Sequence, residues 1–367
     1  MAYRTLVTGG CGFIGRHLVE ALRERGDEVR ILDLRPWQGK PIDENVQVTL
    51  GCITDRAAVR RAMEGIDRVF HVAANPNLWA PDPRQFHEVN FVGTCRVLEE
   101  AARRRVRRVI YTSTESILKS VRGARNSPRA IIDETAQLTL DDMPGPYCRS
   151  KFRAEEAAKE AAASGLPVVI VNPTMPLGPG DALLTPPTKM VLGFVNGKTP
   201  AYLNCEFNLV DARDAARGHV LAAERGRIGE RYILGGENVE LQHLLKELSR
   251  LTGHTMPTVR VPYCLAFAAA VVSETIANFR KEPPVAPITG VRLARSSMAF
   301  NCSKARTELG WQPRPLRHTL YDALVWLRDT GLLSREINLP RRSELVVEGR
   351  AALYKPGTYA ARSLVVD

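Results

Sequence analysis

The sequence predicts an α/β protein: a doubly wound parallel sheet covered by helices on both faces, followed by a smaller C-terminal lobe. Three observations carry this expectation. Short β-branched runs at residues 5–8, 28–33, 47–50, 68–72, 107–113 and 167–172 alternate with helix-like stretches at 13–25, 55–64, 83–104 and 145–163, and strict alternation of the two gives a parallel sheet. At 367 residues the chain is long enough for one such domain and an added lobe. Proline and glycine then crowd Asn172-Pro173-Thr174-Met175-Pro176-Leu177-Gly178-Pro179-Gly180, with Pro186-Pro187 close behind, so the chain leaves the sheet there. We therefore expect an N-terminal domain over 1–173, to which segments near 205–235 return, a lobe over 174–334 and a peripheral tail over 335–367.

The first strand runs directly into Thr8-Gly9-Gly10-Cys11-Gly12-Phe13-Ile14-Gly15, which opens the first helix. Gly9, Gly12 and Gly15 allow a tight turn, close backbone approach to a pyrophosphate and close packing of helix on strand. The helix start at Phe13, Ile14 and Gly15 supplies N–H donors and the positive end of the dipole. Asp33, at the end of the second strand, suits the ribose hydroxyls of an adenosine and repels a ribose 2′-phosphate. This is the pattern of a Rossmann-type dinucleotide site. NAD is the expected cofactor, with NADP kept as an alternative by Arg35.

Farther along, the run Arg103-Arg104-Arg105 with Arg107-Arg108 falls where an alanine-rich helix ends. Cations there offset the negative end of the dipole, so the run reads as a helix terminus and not as a nucleic-acid patch, despite a net charge of +11. The seven cysteines are scattered, with no C-x-x-C pair, and read as reduced, mostly packed thiols without a metal site or disulfide framework. The opening residues lead into a strand and not into a secretory signal, so a cytoplasmic location is expected. Helix-like stretches follow at 212–224, 241–251 and 315–329, with a strand at 231–234. Between them lies the apolar stretch 263–272, too short to span a bilayer and read as a packed helix, with a lipid-facing or substrate-lobe helix as the alternative.

In Gly145-Pro146-Tyr147-Cys148-Arg149-Ser150-Lys151, Tyr147 and Lys151 share one face at the start of a helix. A phenol titrates near 10 in water, and a neighbouring ammonium favours the phenolate. Tyr147 is thereby the expected general base for oxidising an alcohol and general acid for reducing a ketone, and Lys151 its electrostatic partner and a ligand of the nicotinamide ribose.

The spacing of Gly9, Gly12 and Gly15 resembles that of the extended short-chain dehydrogenase/reductase superfamily. His71-Val72-Ala73-Ala74 is similar to its H-x-A-A strand end, and Val89-Asn90-Phe91-Val92-Gly93-Thr94 to its V-N-x-x-G-T helix. The resemblance implies that Ala73, Asn90, Tyr147, Lys151 and Pro173 lie at the cofactor, and that Thr114, beyond the fifth strand, completes a Thr114–Tyr147–Lys151 catalytic set. Cys52 departs from it, standing in Gly51-Cys52-Ile53-Thr54-Asp55 where the superfamily has an acidic residue at the adenine. Dehydratases of the superfamily follow the catalytic Thr with Asp-Glu; here Glu115-Ser116 follows Thr114, which argues against water elimination. Glu115 reads as a surface carboxylate or a substrate contact. Residues 71–83, 169–180 and 226–237 resemble the hopanoid-associated sugar epimerase family. That resemblance implies an epimerase of a nucleotide sugar or hopanoid-linked sugar, with Asn172 holding the nucleotide diphosphate, and a homodimer. The alternatives are a reductase or dehydrogenase of a lipid or polyol ketone, similar to dihydroflavonol reductases and 3β-hydroxysteroid dehydrogenases, and a non-catalytic cofactor-binding scaffold. In each, the partner is a small molecule; membrane contact is an open alternative that the sequence does not itself indicate.

Overall fold

The computed structural model describes residues 2–37, 46–120, 131–295 and 298–345; the tail segment around Tyr354 lies outside them. The N-terminal half runs β1 (Arg4–Thr8), α1 (Phe13–Glu24), β2 (Glu28–Asp33), β3 (Val46–Leu50), α2 (Arg56–Ala62), β4 (Arg68–His71), α3 (Arg84–Phe86), a π-helical turn (His87–Val92), α4 (Gly93–Arg104), β5 (Arg108–Thr112), α5 (Gly145–Ala163) and β6 (Val168–Pro173). The second half runs β7 (Met175–Leu177), α6 (Pro186–Val195), β8 (Ala201–Tyr202), β9 (Glu206–Asp211), α7 (Ala212–Arg225), β10 (Arg231–Leu234), β11 (Glu237–Glu240), α8 (Leu241–Thr252), β12 (Val259–Arg260), α9 (Tyr263–Arg280), α10 (Ile288–Leu293) and α11 (Leu316–Asp329).

Among the described residues the main sheet is seven-stranded and parallel, in the order β3-β2-β1-β4-β5-β6-β10. This is the Rossmann-type arrangement that the alternation predicts. Because side chains alternate across a strand, neighbouring residues serve opposite faces. Val7, Ile31, Phe70 and Ile110 pack with α1 and α7, while Leu6, Leu32, Val69 and Val109 pack with α2, α4 and α5. The strand order reverses between β1 and β4, so a crevice opens at their carboxyl ends, where ligands bind in open α/β sheets.

After β6 the chain leaves the sheet and comes back as α7 and β10. Tyr232 and Ile233 of β10 pair with Val171 and Asn172 of β6. Arg108 fastens the return by donating to Ala223 O at 3.0 Å and Gly226 O at 2.8 Å. A separate three-stranded sheet, β11-β9-β7, and the pair β12-β8 organise the remainder.

Two expectations are corrected. The continuous helix over 83–104 is instead α3, a π turn and α4, because the buried Asn90 side chain is drawn inward: its Oδ1 accepts from Asn75 N at 2.7 Å and its Nδ2 donates to Ser150 Oγ at 3.1 Å. The apolar stretch at 263–272 extends to Arg280, but it is not packed: only Ala270 and Ala277 of α9 are buried. The arginine run ends α4 as expected, with Arg103 and Arg104 in its last turn, both on Glu100.

Candidate active site

The glycine turn is built as backbone, with no room for side chains. Gly9 has φ +73, and a Cβ on it would stand 2.7 Å from the Ala73 backbone; a Cβ on Gly15 would meet Gly9 O at 2.0 Å. Gly12 caps α1 without a side-chain hydrogen bond. The first bond of the helix runs from Arg16 N to Gly12 O at 3.0 Å, so the N–H groups of Phe13, Ile14 and Gly15 precede it and face the crevice end of the sheet. Asp33 ends β2 beside them, its Oδ2 accepting from Cys11 N at 3.0 Å and its Oδ1 from Arg35 N at 3.2 Å. From the other side, His17 Nε2 lies 2.9 Å from Pro179 O, and Arg16 donates to Gly180 O at 2.9 Å. The turn is thus closed in by the loop that follows β7. Cys52, where an acidic residue was expected, accepts from the Thr54 hydroxyl at 2.9 Å.

Ala73 follows β4, its N–H donating to Thr8 Oγ1 at 3.3 Å. His71 is buried between the Thr8 and Thr94 hydroxyls, at 2.7 and 2.9 Å, and burial pushes it down to about 3. It is a neutral strut joining β1, β4 and α4.

The candidate catalytic groups meet at the ends of β5 and α5. Pro146 stands in the first turn of α5, where a missing N–H is harmless. The half-buried Tyr147 stands edge-on to Phe86, with ring centroids 6.2 Å apart. Burial and the Glu115 carboxylate push its phenol up, and the Thr114 side chain draws it back down. Lys151 is buried, donates to Thr112 O at 2.7 Å, and sits over the Tyr111 ring at 4.7 Å. Burial pushes its ammonium down to about 7, opposed by Glu155. Thr114 donates to Glu115 Oε2 at 2.8 Å and accepts from Ser116 N at 3.3 Å. Ser113 Oγ is buried without a hydrogen-bond partner.

Glu115 is not a surface carboxylate. It is 7% exposed, and burial raises its carboxyl despite the Thr114 and Ser116 bonds. Asn172 is fully buried at the end of β6, next to Pro173. Its Nδ2 donates to Thr114 O at 3.1 Å and Glu155 Oε2 at 2.8 Å, and its Oδ1 has no partner.

The profile of the NAD dependent epimerase/dehydratase family matches residues 5–235. The chain belongs to this family. It is 37% identical over 345 residues, covering 92% of this chain and 98% of the relative, to a Synechocystis sp. protein provisionally named dihydroflavonol 4-reductase. It is also 32% identical over 332 residues to the sterol demethylase protein B of Methylococcus capsulatus, covering 90% and 99%. Among solved structures, that of gox2253 superposes with a TM-score of 0.78 at 35% identity, covering 90% of this chain and 99% of that one.

Membership makes this an enzyme of the extended short-chain dehydrogenase/reductase type with NAD as its cofactor, and the glycine turn fits that group: side chains are excluded by contact with Ala73 and Gly9, and the α1 amides are left for a pyrophosphate. Two residues at this site were missed in the sequence. Glu155 is 1% exposed and takes Arg231 at 3.1 Å as well as Asn172; Tyr147, Lys151 and Glu155 recur every four residues, so the spacing that singled out the first two also marked the third. Lys119 is buried and donates to Leu293 O at 3.1 Å, tying the active-site loop to α10; nothing in the sequence points to it.

Proposed function

We propose that this protein is a nicotinamide-dependent dehydrogenase or reductase that interconverts a secondary alcohol and a ketone on a small molecule and exchanges its cofactor at every turnover. Asn172 carries the preference over nucleotide-sugar epimerisation. Both hydrogens of its amide are committed inside the protein, to Thr114 O and Glu155. What remains is an acceptor oxygen, which repels a diphosphate. A side chain in this state is a strut between β6, α5 and the Thr114 loop.

NAD held there would supply the redox chemistry, its oxidised form accepting a hydride from the carbinol carbon and its reduced form supplying one to the ketone carbon. On this reading Gly9, Gly12, Phe13, Ile14 and Gly15 hold the pyrophosphate, Asp33 the adenosine ribose, and Ala73 and Pro173 line the strand ends beside the cofactor. Asn90 acts indirectly, by fixing the Asn75 loop and α5. Tyr147 gives the proton to the nascent alkoxide in reduction and removes it in oxidation, and Lys151 lowers the cost of the phenolate. Thr114 hydrogen-bonds the substrate oxygen. With Glu115 protonated, as its burial favours, the carboxyl donates to Thr114 and frees the hydroxyl hydrogen for the substrate. Residues 174–334, apart from α7 and β10, mainly supply the substrate lobe.

A second reading, epimerisation with a retained cofactor, is favoured by the family match over residues 5–235. The test is a panel of secondary alcohols and ketones assayed for nicotinamide absorbance change with NAD and NADP. We expect multiple turnovers with some member, lost in Tyr147→Phe. Epimerisation of a nucleotide sugar with no net change in nicotinamide would favour the second reading.

A further inference from the structure

Helix α9 is amphipathic in the reverse of the usual sense. Leu265, Ala268, Ala269, Val272, Ile276 and Phe279 recur at helical spacing and form one stripe, and all six are exposed. Leu265 and Val272 are each 60% exposed, Phe279 91%, and Val285, just past the helix, 98%. The opposite face carries the buried Ala270 and Ala277. A contiguous apolar surface of this kind on a folded protein marks an interaction site.

Its surroundings are basic. Arg280 and Lys281 stand at the C-terminal end of α9, Arg292 in the last turn of α10 and Arg295 just past it, all exposed. Arg292 lies 5.8 Å from the Phe267 ring and Arg295 5.1 Å from that of Tyr263. Of the two carboxylates between Tyr263 and Arg295, Glu274 is half-buried and accepts from Ile288 N at 2.7 Å, and Glu282 is exposed.

We propose that α9 is an in-plane membrane anchor, its apolar stripe seated at the acyl boundary of an anionic bilayer and its arginines and lysine among the lipid phosphates. Apolar burial and attraction to anionic headgroups act together in such helices. No helix of the described residues is long and apolar enough to cross a membrane, so the helix lies along the surface. A second copy on this face would bring four cations from each chain together around a two-fold contact, which like-charge repulsion opposes.

The anchor is joined to the active site. A Cβ on Gly145, the first residue of α5, would meet Thr289 Oγ1 of α10 at 2.3 Å; Lys119 reaches Leu293 O; and Trp79 Nε1 donates to Asn278 Oδ1 of α9 at 2.9 Å. The α9–α10 hairpin thus adjoins both the start of the helix carrying Tyr147 and the loop after β4. Resting on the alcohol/ketone reading above, this placement makes the substrate a membrane-resident lipid alcohol or ketone.

The experiment is flotation of the full chain with phosphatidylcholine vesicles and with equal parts phosphatidylcholine and phosphatidylglycerol, alongside sedimentation velocity without lipid. We expect flotation with the anionic vesicles, weakened by salt. Val272→Glu/Phe279→Glu and, separately, Arg292→Glu/Arg295→Glu should each reduce it by about tenfold or more, with NAD binding retained as proof of folding. Absence of flotation with anionic vesicles would overturn the proposal. So would a lipid-free dimer that Val272→Glu/Phe279→Glu dissociates while leaving flotation intact. Vesicle binding does not depend on turnover, so an inert protein that floats would sink the alcohol/ketone reading and leave the anchor standing.

Discussion

Tyr147 sits in surroundings that hold its proton: burial is the largest cause raising the phenol, and Glu115 adds to it only while ionised. Protonated tyrosine is ready to act as an acid, and on the proposed mechanism its deprotonation for oxidation would draw on Lys151 and the oxidised cofactor's positive charge. Replacing it with Phe should lower kcat/KM by roughly 10²–10⁴, with cofactor affinity unchanged by calorimetry. Thr114 and Glu115 should separate in the same assay. Glu115→Gln keeps a donor toward Thr114 and should retain activity, whereas Glu115→Ala should lower kcat/KM by about tenfold or more. Equal losses in the two variants would contradict the relay from carboxyl to hydroxyl. Tyr147, Lys151, Thr114 and the glycines could be read from the sequence because each belongs to a short local pattern. The burial of Glu115 could not, since tertiary packing decides it, and the amide contacts of Asn172 depend on Glu155, 17 positions away.

At the scale of elements, α1 stands on its glycines. Gly15→Ala would drive a Cβ into Gly9 O, so we expect a stability loss of roughly 1–3 kcal/mol in urea unfolding and weaker NAD binding. The helices are also coupled to the sheet by two neutral histidines. His219, on α7, accepts from or donates to Thr112 Oγ1 at 2.9 Å and bonds Ala215 O at 2.7 Å through Nδ1; the carbonyl is only an acceptor, so Nδ1 carries the hydrogen and Nε2 accepts. Burial lowers His219 from 6.5 to about 4 and His71 from 6.5 to about 3. The unfolded chain therefore binds protons that the folded protein refuses. Stability present at pH 7 is lost as pH falls below 6.5 toward these values, by roughly 2–4 kcal/mol for the pair at pH 5. Unfolding of His219→Gln across that range should show a shallower acid slope than the wild type; an unchanged slope would contradict the assignment. Most element boundaries followed from periodicity, whereas the π turn did not, because a single inward-drawn Asn90 side chain leaves no trace in the pattern of apolar residues.

For the molecule as a whole, the alternation of strands and helices anticipated the parallel sheet, and the proline-rich stretch after β6 anticipated its interruption. The second half was less open to sequence reading. Its short strands pair across long separations, as β11 does with β9, and α9 looks like a core helix by composition while its apolar side faces outward. The central claim is that this enzyme releases its cofactor at each turnover, and it can be tested before any substrate is known. The measurement is the NAD(H) and NADP(H) content of protein purified without added cofactor, followed by calorimetric titration with both nucleotides. The account predicts a largely empty site that binds NAD reversibly and in preference to NADP; near-stoichiometric NAD carried through purification would contradict it and return the protein to the epimerase cycle.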